Sequence, residues 1–227
     1  MPCGLYGKLP AKRDFIAVGV ARGFLSAWEP WIQAGLAASR LNLGPGWTDA
    51  FLRAPIWRFW LGAEVAGEPV LGSLMPSVDG VGRYFPLTLV YRSDRSEGLP
   101  PPEIEPGDAW FAQAEAFLLA TLSATDFDRV LAALSDLPEM PAAPPRMPVG
   151  AARLRGGTLV GPAEDGDVGA ALARLRPSAH AGLHAGMSYW WTPGGEDFPA
   201  RAACCRGLPD PTVFSGLLTG RFDARDH

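Results

Sequence analysis

Two proline-rich stretches divide this chain into blocks, and they limit what each block can become. The first runs from Gly98 to Gly107 and carries Pro100, Pro101, Pro102 and Pro106. The second runs from Pro138 to Pro148 and carries five prolines, Pro138, Pro141, Pro144, Pro145 and Pro148. Proline has no amide donor, and its ring clashes with the preceding helical turn. Neither stretch can therefore be a helix or a central strand. Both read as extended or ordered connections, so the fold must be assembled from the blocks around them.

The first block reads as a helix followed by strands. Phe24, Trp28, Trp31, Ile32, Gly35 and Leu36 recur at helical spacing, with Arg22, Glu29, Gln33 and Arg40 elsewhere on the wheel. Pro30 either kinks this helix or marks the first turn of one that begins near Glu29. Ile56 to Leu61 is aromatic and bounded by Pro55 and Gly62, which predicts a strand. Val70 to Met75 and Phe85 to Tyr91 predict two more, with a turn signal at Asp79-Gly80 between them. The middle block predicts an αα-hairpin. Its first helix spans Ala109 to Ser123, with Asp108 as cap and Trp110, Phe111, Ala114, Phe117, Leu118, Thr121 and Leu122 inward. Asp126 caps the second, with Phe127, Val130, Leu131 and Leu134 inward. The last block predicts a short strand at Thr158 to Val160 and a helix at Val168 to Leu175 capped by Asp167. Strands at Met187 to Thr192 and Arg201 to Cys205 follow, then a helix from Pro211 to Leu218 capped by Asp210. Helix and strand interleave, which predicts an α/β layered fold. The short connection between the central strands requires at least one antiparallel pair, and the sheet is expected to be mixed.

Composition closes off several function classes. Apolar residues are 48% of the 227 and charged residues 19%, which is a globular balance. The net charge is −4, with no basic stripe for nucleic acid and no attraction to anionic membrane faces. No segment has the apolar length of a spanning helix, and the N-terminus lacks the charged and apolar regions of a signal peptide, so a cytoplasmic location is expected. Cys3, Cys204 and Cys205 form no disulfide framework, and the adjacent pair reads as two small residues on or beside a strand.

No catalytic or metal constellation stands out. His180 and His184 are four apart, but Gly182 and Gly186 interrupt the segment and no third ligand is near in sequence. They read as two solvated loop histidines. There is no nucleophile elbow, and the glycines at 161, 166 and 169 fit neither a Walker loop nor a dinucleotide fingerprint. No cofactor is implied. Most of the eight tryptophans read as core, since an exposed indole must earn its place at an interface.

The segment from Leu74 to Pro86 is dense in residues with backbone roles. Gly80 and Gly82 permit positive φ, and Pro76 and Pro86 fix the entry and exit. Asp79 and Arg83 can form a charge-assisted pair that locks the turn. Met75 to Thr88 also resembles the signature of the TagF/ImpM family of type VI secretion-associated proteins. Several other elements are similar to that family and occur in its order. They are Tyr6-Gly7-Lys8-Leu9-Pro10 with Asp14-Phe15, the pair Trp28 and Trp31, Ala54-Pro55-Ile56-Trp57-Arg58-Phe59, and Ser188 with Trp190 and Trp191. Arg13 stands where the family has glycine. The match is dense over roughly residues 4 to 91 and patchy afterwards.

The resemblance implies a three-layer α/β/α sandwich and a single TagF-like domain over 1–227, with 1–137 the denser match and 150–227 completing the same fold. It implies a non-enzymatic cytoplasmic protein that restrains type VI secretion after translation by binding the system's forkhead-associated scaffold protein. Some relatives are fused to a Ser/Thr phosphatase; here any phosphatase of that pathway would be a separate protein. The residues the resemblance singles out, for structure or for partner binding, are Tyr6, Lys8, Asp14, Trp28, Trp31, Trp57, Arg58, Ser77, Asp79, Arg83, Tyr84, Ser188 and Trp190. The alternative is a hydrolase or small-ligand enzyme with a site around Ser77, Asp79 and Arg83.

Overall fold

The computed structural model of the chain describes residues 1–93, 99–140, 147–195 and 197–222. In chain order the elements are β1 (Cys3–Gly7), β2 (Ile16–Val18), α1 (Arg22–Leu43), α2 (Trp47–Arg53), β3 (Trp57–Leu61), α3 (Ala63–Ala66), β4 (Val70–Met75) and β5 (Leu87–Arg92). Then come α4 (Asp108–Thr121), α5 (Phe127–Ser135), β6 (Ala152–Arg153), β7 (Leu159–Val160), α6 (Val168–Leu175), α7 (His180–Leu183), β8 (Met187–Thr192), β9 (Arg201–Arg206) and α8 (Phe214–Thr219).

Strand β3 reads Trp-Arg-Phe-Trp-Leu and is buried at every position, because helices cover both faces of the sheet. Successive side chains alternate between faces. Trp57, Phe59 and Leu61 pack with Phe24, Trp28 and Ile32 of α1 and with Phe214 and Leu217 of α8. Trp60 turns the other way and joins Trp110, Phe111 and Leu118 of α4 and Val130 and Leu134 of α5. This is the expected three-layer arrangement. The sheet has seven strands in the order β2-β1-β5-β4-β3-β8-β9, and β6 and β7 pair separately.

The sheet differs from expectation in one respect: every pairing is antiparallel, so it is not mixed. Short returns join β1 to β2, β3 to β4, β4 to β5 and β8 to β9, and such returns cannot make parallel neighbours. Among the described residues only β1–β5 and β3–β8 join strands distant in sequence, and both also run antiparallel.

Helix α1 runs through Pro30 without interruption, so it does not begin near Glu29. The proline lies on the exposed side, while the stripe from Phe24 to Leu36 holds the helix on the sheet. Helix α4 is not capped by Asp108. Gly107 takes the left-handed cap position, and Asp108 enters the first turn. Leu122 lies past the helix end and is exposed, unlike the rest of its predicted stripe. Asp126 and Asp167 do cap α5 and α6, accepting from the amides of Asp128 and Ala170 at 2.9 Å each. Asp210 likewise accepts from Thr212 N at 2.9 Å at the entry to the last helical segment.

The proline stretches lie only partly within the described residues. Gly98 and residues 141–146 fall outside them. What is described is packed: Trp60 donates its indole N–H to Leu99 O at 3.2 Å, Trp110 donates to Pro138 O at 3.0 Å, and Met140 N donates to the Tyr91 hydroxyl at 3.1 Å. Seven of the eight tryptophans are buried, and each of the seven donates its indole N–H to a named oxygen. Burial without that bond would leave a costly orphan donor.

Candidate functional site at one end of the sheet

The loop from Pro76 to Pro86 joins β4 to β5 and folds back on itself through an isolated bridge between Val78 and Tyr84. Asp79 N donates to Arg83 O at 3.1 Å, and Gly82 N donates to Asp79 O at 2.9 Å. Gly82 takes φ 83°, which a side chain would strain. Gly80 does not have the expected positive φ. Its amide instead donates to Lys12 O at 2.8 Å, and a Cβ there would come within 2.9 Å of Pro10 O. Glycine at 80 is thus explained by close approach of the segment that follows β1.

The same two loops meet at Asp79. One carboxylate oxygen accepts from Val81 N at 3.1 Å and Arg83 N at 2.9 Å. The other accepts from Lys8 Nζ at 2.9 Å and Arg83 Nε at 2.6 Å. The Asp79 side chain is fully buried, that of Lys8 is 7% exposed, and that of Arg83 is 57% exposed. Arg83 also donates to the carbonyl of Arg13. Burial pushes the Asp79 carboxyl up, but the Lys8 ammonium, the Arg83 amide and guanidinium and the Val81 amide together pull it down by more. Its net position is well below the usual carboxylate range. Above these bonds Phe15 stands edge-on to Phe85 at 4.7 Å, with the Lys8 ammonium 4.8 Å from the Phe15 ring.

The expected Asp79–Arg83 pair is present, and the buried partner that the loop's own sequence did not suggest is Lys8. A signal existed. The chain has only two lysines, Lys8 and Lys12, against eighteen arginines, and Lys8 directly follows β1.

The remaining singled-out residues lie elsewhere. Ser77 is buried two residues away; its carbonyl accepts from Phe85 N at 3.1 Å, and its hydroxyl has no partner among the described residues. Asp14 is exposed. Tyr84 leans away from the lock, edge-on to Trp47 at 5.9 Å and to Phe51 at 5.8 Å. Tyr6 lies between the lock and α1, and burial with the nearby Glu29 carboxylate pushes its phenol up to about 12. Trp28, Trp31 and Trp190 form one aromatic cluster with Phe59. Trp28 is 5.7 Å from Trp190 and donates to Thr88 Oγ1 at 3.1 Å, while Trp31 donates to Pro209 O at 2.7 Å. Ser188 accepts the Trp190 indole N–H at 3.1 Å, and Trp57 donates to Leu217 O at 2.8 Å.

Arg58 makes a third centre, on the face opposite α1. Its Nε and Nη2 meet the two Glu115 oxygens at 2.6 and 3.2 Å, its Nη1 meets Asp108 at 2.8 Å, and it stacks over Phe111 at 5.1 Å. This fastens α4 to β3. Arg58→Ala should lower stability by about 2–3 kcal/mol, because Glu115 is left largely buried without its cation. Thermal melting checks this, and a melt unchanged from the parent would remove the clamp. Asp108 is 75% exposed and adds little to that total.

His184 departs from the solvated loop expected of it. It is buried, with Nδ1 2.6 Å from the Tyr189 hydroxyl. Among the described residues no group of three or more His, Cys, Asp or Glu is placed to hold a metal ion, and no helix is long and apolar enough to cross a membrane. A cleft of about 790 Å³ opens beside α2 and the turn after β8. On its rim Arg53 is already engaged by Asp197.

The family described as TagF N-terminal domain, Type VI secretion system-associated, matches residues 4–137. Among solved structures, that of PA0076 from Pseudomonas aeruginosa PAO1 is similar with a TM-score of 0.76 and 31% sequence identity, over 99% of this chain and 97% of that one. No curated protein matches.

Proposed function

The chain belongs to the TagF family of type VI secretion system-associated proteins, and on that premise we propose that it is a non-enzymatic accessory protein. In this reading it restrains assembly of the secretion system in the cytoplasm by binding the forkhead-associated scaffold protein, and any phosphatase of the pathway is a separate partner. One observation carries the choice of binding over catalysis. The Asp79 carboxylate spends both oxygens on four donors within the protein. A carboxylate so engaged, held far below its usual range, has no lone pair directed outward and no proton to give near neutral pH. The lock holds two loops together, and what it presents is their rim. Phe15 and Val81 are 53% and 57% exposed there, next to the exposed Arg13 and Arg83.

The test is a pull-down of the forkhead-associated protein by the full chain, alongside secretion measured on overexpression. Binding and reduced secretion are expected. Neither effect in the parent would end the proposal. Val81→Glu, at the exposed tip, should melt with the parent yet weaken capture at least about tenfold. Full capture by that variant would move the docking face off this rim.

A further inference from the structure

The two ends of the sheet differ. Strand β2 at one edge has three residues, whereas β9 at the other has six and reads Arg-Ala-Ala-Cys-Cys-Arg. Long open edges are templates for another strand, and proteins usually shorten, bulge or cover them. Among the described residues nothing covers β9: five of its six residues are exposed and the sixth is half-exposed, on both faces.

The register shows which backbone groups are free. Strand β9 pairs with β8 through Thr192↔Arg201, Trp190↔Ala203 and Ser188↔Cys205. Continuing that register one step past Met187↔Arg206 sets Gly186 opposite Gly207, where Gly207 N donates to Gly186 O at 2.8 Å. Antiparallel partners alternate between pairs that exchange hydrogen bonds and pairs that do not. Counting back from Gly207, residues Cys205, Ala203 and Arg201 bond to β8. Ala202, Cys204 and Arg206 therefore turn their N–H and C=O groups to the open edge.

We propose that this edge is a self-association surface, on which a second copy adds its own β9 antiparallel about a two-fold axis through Cys204. Symmetry restricts the registers, because an outward residue must face an outward residue. Centring on Cys204 sets Cys204 opposite Cys204 and Ala202 opposite Arg206, so all three outward residues of each strand are bonded. Centring on Ala203 or Cys205 matches only two of the three within the strands. The charges agree with the first register. Arg206 faces Ala202 and Arg201 faces Gly207, so no arginine opposes an arginine, which would be destabilising. The two seven-stranded sheets become one continuous sheet.

The geometry supplies its own probe. Directly bonded antiparallel partners have Cα atoms about 5.5 Å apart, within the range a disulfide spans. Cys204 is exposed, Cys205 is half-exposed and Cys3 is buried. Diamide accepts the two electrons and two protons released as two Cys204 sulfurs join. It should therefore give a covalent dimer of the full chain that persists in Cys205→Ser and disappears in Cys204→Ser. Sedimentation under reducing conditions should show the parent self-associating. Ala202→Pro deletes an outward N–H while leaving the β8 ladder intact, and Cys204→Asp opposes two carboxylates on the axis. Each should weaken association at least about tenfold. A parent that stays monomeric and forms no Cys204-dependent dimer overturns the proposal, whether the edge is then open or serves another protein's strand. A dimer unaffected by both variants, when they melt like the parent, overturns it equally.

Discussion

Asp79→Ala should destabilise the fold by about 3–5 kcal/mol, the usual result of removing one partner from a buried ion pair. For a chain of this length that is a fall in melting temperature of roughly 10 °C. The loss is large because of what remains. The Lys8 amine loses its carboxylate with its side chain only 7% exposed, and the amides of Val81 and Arg83 lose their acceptor. Little of the effect comes from Arg83, whose side chain is 57% exposed and is served by water once the carboxylate is gone. Lys8→Met should cost less, about 1–3 kcal/mol, because Asp79 would keep Arg83 and both amides. The order of the two variants separates a turn lock from a catalytic pair. The pH dependence has a definite sign. The folded carboxyl lies below its unfolded value, so its contribution is complete above about pH 4 and is lost as pH falls through the folded pKa. The gap between parent and Asp79→Ala should therefore close in acid. A variant melting within about 2 °C of the parent at neutral pH would dispose of the lock.

How much of this was legible in the sequence depends on how local each feature is. The strands at Val70 to Met75 and Met187 to Thr192 and the helix at Val168 to Leu175 match the structure residue for residue. In each, side-chain pattern and flanking turn residues agree. The Asp79–Arg83 pair was legible because its members are only four positions apart. Lys8 lies 71 positions from Asp79, and the Arg58–Glu115 pair spans 57, so nothing local announces either. Asp108 misled for a related reason. An acidic residue before an apolar helical pattern suggests a cap, yet Gly107 caps the helix and Asp108 turns to a cation fifty residues away on β3. Strand direction failed differently. The order β5-β4-β3 follows from tight returns, but the placement of β8 beside β3 is decided by packing of the aromatic cluster from Phe59 to Trp190. The family resemblance reached further than the local patterns, because it carried Lys8, Arg58 and Ser188 as singled-out residues without explaining them. The structure explains Lys8 and Arg58 as bonds to distant elements and Ser188 as the acceptor of the Trp190 indole on its own strand.

Gly72→Ala should be among the most damaging small substitutions in the sheet. Gly72 lies in β4, a strand of the sheet's interior, paired with Phe59 on one side and Val90 on the other. A glycine there is a cost in backbone entropy, and strands accept it where another group must come close. Here two do. A Cβ would lie 2.0 Å from the carbonyl oxygen of Leu89 and 2.6 Å from the tip of the Phe59 ring. The ring is walled in by Trp28 at 4.6 Å and Trp190 at 5.5 Å by ring centroids, both of them buried. The carbonyl belongs to the β4–β5 ladder and cannot move without breaking it. Overpacking in a core that can adjust costs about 1–3 kcal/mol, and little adjustment is open at this position. The expected result exceeds that range, with the variant failing to accumulate as soluble protein or melting well below Asp79→Ala. Gly82→Ala is the control. It meets nothing within 4 Å and carries only the strain of φ 83°, about 1 kcal/mol. Soluble yield and thermal melting of the two alanine variants side by side decide the matter. If Gly72→Ala melts with Gly82→Ala, β4 and β5 are not packed as closely as described, and the turn they support is not fixed by the sheet beneath it.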